Sequence, residues 1–154
     1  MPSLTEIRDA AVALLQTVLP DLPRVEAFSG EITIDAVAEK RLPPGVSVLV
    51  AALAADNDAA PGSLDFDVVG SFGVMVISRN AAGAEYAEAD ALHVAETVAI
   101  TLHGATFGLP ASPAVVKALE AVNDEAFIEN GYSVWTIIWQ QQLVFTERTT
   151  DESV

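Results

Sequence analysis

The sequence predicts an α/β fold of the α+β kind: a single domain with a mixed or mostly antiparallel sheet and two long helices packed on one face. Three observations lead there. Two amphipathic segments of helical period are bounded by caps and stops. Three runs rich in β-branched and aromatic residues have strand length, two of them with a period of two. Helices and strands follow one another without strict alternation. A chain of 154 residues, 51% apolar and 19% charged, carries apolar surface for one core. The domain is expected over residues 3–146, and the polar stretch 147–154 is expected to be a flexible tail.

Taken in order, Ser3 and Glu6 have capping-box spacing, in which hydroxyl and carboxylate each satisfy an orphan backbone donor at a helix start. Ile7, Ala11, Leu14, Leu15 and Val18 then fall on one helical face until Pro20 and Pro23 end the run. Residues 24–28 read as a short strand. The stretch 31–42 mixes Ile32, Ile34 and Val37 with polar residues, which leaves it open between a short helix and irregular chain. Residues 46–53 form a β-branched run without polar alternation, the pattern of a central strand buried on both faces. Residues 56–63, with Asp56, Asn57, Asp58, Pro61 and Gly62, read as a turn-rich loop.

From Leu64 the period becomes two. Leu64, Phe66, Val68, Phe72, Val74 and Val76 face one way, while Asp65, Asp67, Val69, Ser71, Met75 and Ile77 face the other. Gly70 and Gly73 within this strand mark a bend or bulge. A turn over 79–83 leads into a second long helix, 85–103, with the core stripe Leu92, Ala95, Val98, Ala99 and Leu102 and with Gly104 as its stop. The pattern of 112–122 permits a capped helix or an edge strand, and 124–130 reads as a connector. The last strand, 132–145, sets Trp135, Ile137, Trp139, Leu143 and Phe145 on one face and Val134, Thr136, Ile138, Gln140, Gln142 and Val144 on the other.

The charge balance narrows function. With 22 acidic against 7 basic residues and a net charge of −15, the chain lacks the clustered cations that phosphate binding requires, so nucleic acid is not expected as a direct ligand. The absence of cysteine removes disulfides, thiolate catalysis and cysteine-ligated zinc. No apolar run approaches the roughly 20 residues of a membrane span. The first residues carry acids early and do not resemble a signal peptide, so synthesis in the cytoplasm is expected.

Catalytic motifs are missing in the same way. His93 and His103 lie ten residues apart on one helix, roughly 15 Å along its axis, too far to share a metal within one chain. The plain reading of His93 is a surface position, and that of His103 a positive charge at the negative end of the helix. The pairs Asp65 with Asp67 and Asp56 with Asp58 offer oxygens to a cation, but too few for a hard-ion site, and a solvated acidic face is the plainer reading. Gly70, Ser71 and Gly73 only superficially resemble a nucleophile elbow. Neither a dinucleotide fingerprint nor a phosphate loop occurs. No enzyme activity, metal or cofactor is therefore expected. Gln140, Gln141 and Gln142 place amides on both faces of a strand, and some of them must meet solvent, a partner or one another.

The sequence resembles the small tail-completion proteins of Mu-like bacteriophages. The resemblance rests on the N-terminal helix ending near Leu19 and Pro20, the strand 46–53, Ser78, Arg79 and Asn80 at a strand end, the alanine-rich helix, and Trp135, Trp139, Gln140 and Gln141 in the closing strand. It spans most of residues 3–146. It implies a tail terminator: a ring, usually of six copies, on the head-proximal end of the tail tube, which stops tube polymerisation and presents a surface to the neck. It implies as partners other copies of the chain, the tail tube protein, a neck or connector protein and, where one is present, the sheath protein, with genomic DNA passing through without specific binding and no membrane contact. The implied location is the virion. Under this resemblance 115–122 becomes a strand. The residues expected at subunit or partner contacts are Asp56, Asp58, Asp65, Asp67, Arg79, Asn80, Tyr86, Gln140 and Gln142. A different head–tail connector, or a small-molecule enzyme using an acidic pair, are the competing readings.

Overall fold

A computed structural model describes residues 3–29, 35–36, 45–57, 66–79 and 84–145. The elements, in chain order, are α1 (Leu4–Val18), β1 (Arg24–Ala27), β2 (Gly45–Asn57), β3 (Phe66–Arg79), α2 (Ala84–Leu102), β4 (Val115–Ala121), α3 (Glu125–Glu129) and β5 (Tyr132–Phe145). The five strands form one mixed sheet in the order β1-β2-β3-β5-β4. Only the β1–β2 pair is parallel; the others are antiparallel. The fold is α+β, as expected.

Both long helices lie on one face of the sheet. The Ser3 capping box is formed, with the Glu6 amide donating to Ser3 Oγ and the Ser3 amide to Glu6 Oε1, each at 3.1 Å. Below it Ile7, Ala11 and Leu15 are buried against β1 and β2, while Val18, expected in the same stripe, is 41% exposed. Ala91, Val94, Ala95, Val98 and Leu102 pack α2 onto β3 and β5. The sheet meets them with Val48, Val50, Val68, Phe72, Val74, Val76, Ile137, Trp139 and Leu143, and those of β3 and β5 are on the faces foreseen from the period of two. Phe72 and Trp139, paired across β3 and β5, stack at 4.8 Å between ring centroids and 13° between planes. Each such side chain, fully buried, contributes about 1.5–3 kcal/mol.

A second, smaller core occupies the opposite face at one end of the sheet. Leu49, Ile77, Tyr132 and Val134 are covered there by Phe28 and by Phe127 of α3. Asp124 caps α3 by accepting the Ala126 amide at 2.9 Å, so the expected connector is a short helix that lays Phe127 edge-on to Tyr132. This is the closed end of the sheet. At the opposite end, where β2, β3 and β5 run on past β1 and β4, helices cover one face only among the described residues.

Several expectations are corrected. The strand expected to stop at 53 continues to Asn57, so Asp56 lies on β2 rather than in a loop. It is not buried on both faces throughout, because Leu53 is 53% exposed. The register shift attributed to Gly70 and Gly73 falls on their neighbour β2, between Ala52 and Ala54, whereas β3 pairs with β5 without a shift. The glycines instead allow close approach: a Cβ on Gly70 would stand 3.0 Å from Leu4 Cδ2, and one on Gly73 would stand 3.0 Å from Leu53 Cδ1. The stretch 112–122 resolves into the edge strand β4. Of the stretch 31–42 only Asp35 and Ala36, both helical, lie within the described residues, and the tail 147–154 lies outside them.

Candidate functional site

The alternation of β5 sorts its three glutamines. Gln141 turns into the helix-side core and is 1% exposed. Burying an amide costs free energy unless its donors and acceptor are used. Here they are: Nε2 donates to Ser112 O at 2.7 Å and to Ala105 O at 3.4 Å, and Oε1 accepts from Trp139 Nε1 at 3.2 Å. Gln141 therefore pins the chain between α2 and β4 onto the sheet. In that connection Phe107 takes a left-handed backbone, φ 59°, a conformation disfavoured for a bulky residue. Its ring reaches within 6.1 Å of Trp139, and that packing offsets the backbone cost. His103 joins the same region, its Nδ1 accepting the Val116 amide at 3.1 Å. This bond ties the end of α2 to β4. His93 is exposed on α2, as expected.

Gln140 and Gln142 point to the other face, at the open end. Cross-strand register sets Asp56, Val69 and Gln142 in one row, and Ala54, Ser71, Gln140 and Val115 in the next. No helix covers these rows among the described residues. Leu53 and Val115 are exposed there at 53% and 42%. A shallow depression of about 220 Å³ lies among Val69, Ser112, Pro113, Val115, Lys117 and Gln140–Gln142. Its one ionisable group is Lys117. A second depression, of about 270 Å³ between the end of α1 and β1, holds only Arg24 as an ionisable group. Neither presents a pair of groups between which a proton could be passed. Among the described residues no three metal-ligating side chains converge, and no helix is long and apolar enough to cross a membrane.

The nine expected contact residues do not form one patch. Asp56, Gln140 and Gln142 share the open end, and Asp67 lies on β3 beside them, opposite Val144 of β5. Arg79 is at the far end of β3, roughly 33 Å along the strand from the row of Asp56 and Gln142, with its guanidinium 5.9 Å from the centre of the Tyr132 ring. Tyr86 falls in the first turn of α2, and Asp58, Asp65 and Asn80 lie outside the described residues.

Residues 3–144 match the Bacteriophage Mu, Gp37 family. The chain belongs to that family. For this family member no curated protein matches in sequence. Among solved structures it is similar to a chain from the virion of a native gene transfer agent particle, with a TM-score of 0.57 at 15% identity, covering 90% of this chain and 95% of that one. Identity that low speaks for a shared fold alone. Three residues escaped the sequence reading of this Gp37-family chain. Gln141 was grouped with its neighbours, though its odd place in the alternation marked it for the core. Lys117 carried a signal that was passed over: a lone cation in a strand whose other residues are small or aliphatic except for Glu120. The extra residue Leu53 had none, because a bulge depends on the partner strand.

Proposed function

We propose that the protein is a structural component of the virion, a tail terminator that assembles as a ring of six copies on the head-proximal end of the tail tube. In this reading it stops tube polymerisation, joins the tail to a neck or connector protein, and meets the sheath protein where one is present. The observation that carries the reading is membership of a bacteriophage Mu family along 3–144, with a fold shared with a gene transfer agent virion chain in support. The chemistry of the surface agrees with it. An open sheet end beside shallow depressions without paired acids and bases suits macromolecular contact better than turnover of a small substrate. A net charge of −15 suits a channel that lets DNA pass without holding its phosphates.

The test is to remove the gene from the producing phage and measure tail lengths by electron microscopy. The terminator reading expects tubes of uncontrolled length that fail to join heads. Tails of normal length lying free beside filled heads would overturn it in favour of a connector. Negative-stain images of the purified protein, or of tube ends decorated with it, are expected to show sixfold rings.

A further inference from the structure

Among the described residues the sheet has two unpaired edges at different levels. On one side β1 pairs with residues 47–50 of β2, and the last bond on that edge is from the Phe28 amide to Val50 O at 2.8 Å. Beyond it no described residue pairs with the outer edge of β2, although the strand continues to Asn57 and residues 52–56 are all exposed. Unpaired edges that persist in soluble proteins are usually blunted by charge, proline or twist. Residues 52–55 are Ala52, Leu53, Ala54 and Ala55, and the first charge is Asp56. On the other side β4 is the second edge. It carries a bulge between Val116 and Ala118, and the extra residue, Lys117, is exposed and has no carboxylate within ion-pair distance among the described residues.

We infer that these two edges are each other's partners in successive copies of the chain, with residues 52–57 of β2 in one copy pairing antiparallel to β4 of the next. The inference rests on the ring reading above for its closure. Strand sense agrees with it. The order β1-β2-β3-β5-β4 makes β4 antiparallel to β2 within one copy, so a rotation that carries one sheet into the next brings β4 against the neighbour's β2 antiparallel as well. Register agrees too. Lys117 and Ala118 together face Ile138 across β4–β5, the two-against-one count of a bulge. When Asp56 of the neighbouring copy stands opposite the same bulge, Leu119 meets Ala55 on the helix side and Glu120 meets Ala54 on the open side. Every residue then keeps its own face. Lys117 lies on the side of Gln140 and Gln142, and Asp56 shares a row with Gln142, so the two charges meet on one face.

Charge selects this occupant over others. Copies that each carry −15 repel, so a self-contact must fall where acids are sparse and must supply an attraction. The stretches 45–55 and 113–119 contain no acidic residue, and Lys117 opposite Asp56 supplies one opposite-charge pair per contact. Pairing above the end of β1 also staggers each copy along the strand direction relative to the last. A constant stagger is compatible with closure into a ring when the strands tilt against its axis.

The chain contains no cysteine, which makes the contact simple to test. Ala54 and Glu120 of one chain are separated by three strand spacings, roughly 14 Å, beyond the ~7 Å that a disulfide can bridge. In the double variant Ala54→Cys, Glu120→Cys, oxidation is therefore expected to give a ladder of covalent multimers ending at ring size, and neither single variant is expected to give one. In parallel, Lys117→Glu and Asp56→Lys are each expected to weaken self-association by about tenfold in sedimentation, and the exchanged pair Asp56→Lys, Lys117→Glu to restore it. All four positions are at the surface, and circular dichroism checks that each variant is folded. Rings that form without a ladder, and that ignore the charge changes, would overturn the edge pairing while leaving the ring standing. A chain that stays monomeric without a ladder at every concentration would overturn the edge pairing also, and the tail-length measurement would then decide the ring separately.

Discussion

The two halves of β2 differ in what surrounds them. Residues 47–50 are paired with β1 on one side and β3 on the other, and Val48, Leu49 and Val50 are fully buried between the helices and the smaller core. Residues 52–56 keep β3, lose β1, and are exposed at every position. Composition does not separate the halves up to Ala55, since both are runs of small or aliphatic side chains, and only Asp56 breaks the pattern. The difference lies in where the neighbours stop: β1 ends at Ala27, and α3 reaches only the end of the sheet near Tyr132. Apolar strand left open by short neighbours is the kind of surface an assembly covers.

The sharpest way to break this comparison is to ask whether the open end is loosely packed on both faces or open on one only. Trp139 sits at the open end on the helix side and is fully buried, so Trp139→Ala is expected to cost about 3–5 kcal/mol in urea unfolding, as much as a deletion from any core. A cost under about 1 kcal/mol would mean that the whole end is poorly ordered. Next, Phe127→Ala at the closed end is expected to cost about 3 kcal/mol, against less than about 1 kcal/mol for Leu53→Ala, because the first empties a filled site and the second trims a half-exposed chain. Equal costs would erase the distinction between the ends.

Neighbouring glutamines sharpen the same point between faces. Gln141→Leu leaves the Ser112 carbonyl and the Trp139 indole without their partner and takes one of two donors from the Ala105 carbonyl, for an expected loss of about 2–3 kcal/mol. Gln140→Leu, on the open face, is expected to change stability by no more than about 0.5 kcal/mol. The smallest effect is kinetic. In the isolated chain the outer-edge amides of 52–57 are expected to exchange with deuterium faster than those of 47–50, and to become protected on assembly. Unchanged exchange on assembly would place the subunit contact elsewhere.

Much of this was legible in the residues themselves. Ser3 and Glu6 announced α1, and the alternation through 66–79 and 132–145 assigned side chains to faces before any partner was known. The edge strand β4 was not decided by its own pattern. Its residues suit helix or strand equally, and the resemblance tipped the balance that pairing with β5 settles. Among the contact residues, Asp56, Gln140 and Gln142 do share one end of the sheet, whereas Arg79 belongs to the other, because β3 is long enough to separate residues that the sequence reading had grouped.

The amino-acid sequence by itself determined the local geometry of this protein: where the two long helices begin, which side chains of β3 and β5 share a face, and that no thiol chemistry is possible. Those are properties of the backbone period and of side-chain type, and they do not depend on what lies across the sheet. The tertiary structure alone decided that Leu53 is an extra residue, that His103 ties α2 to β4, that Gln141 is buried while its neighbours are not, and that β2 outruns β1. Each of these is set by register and by the length of a neighbouring element. Register is a relation between distant segments, fixed only when both are packed.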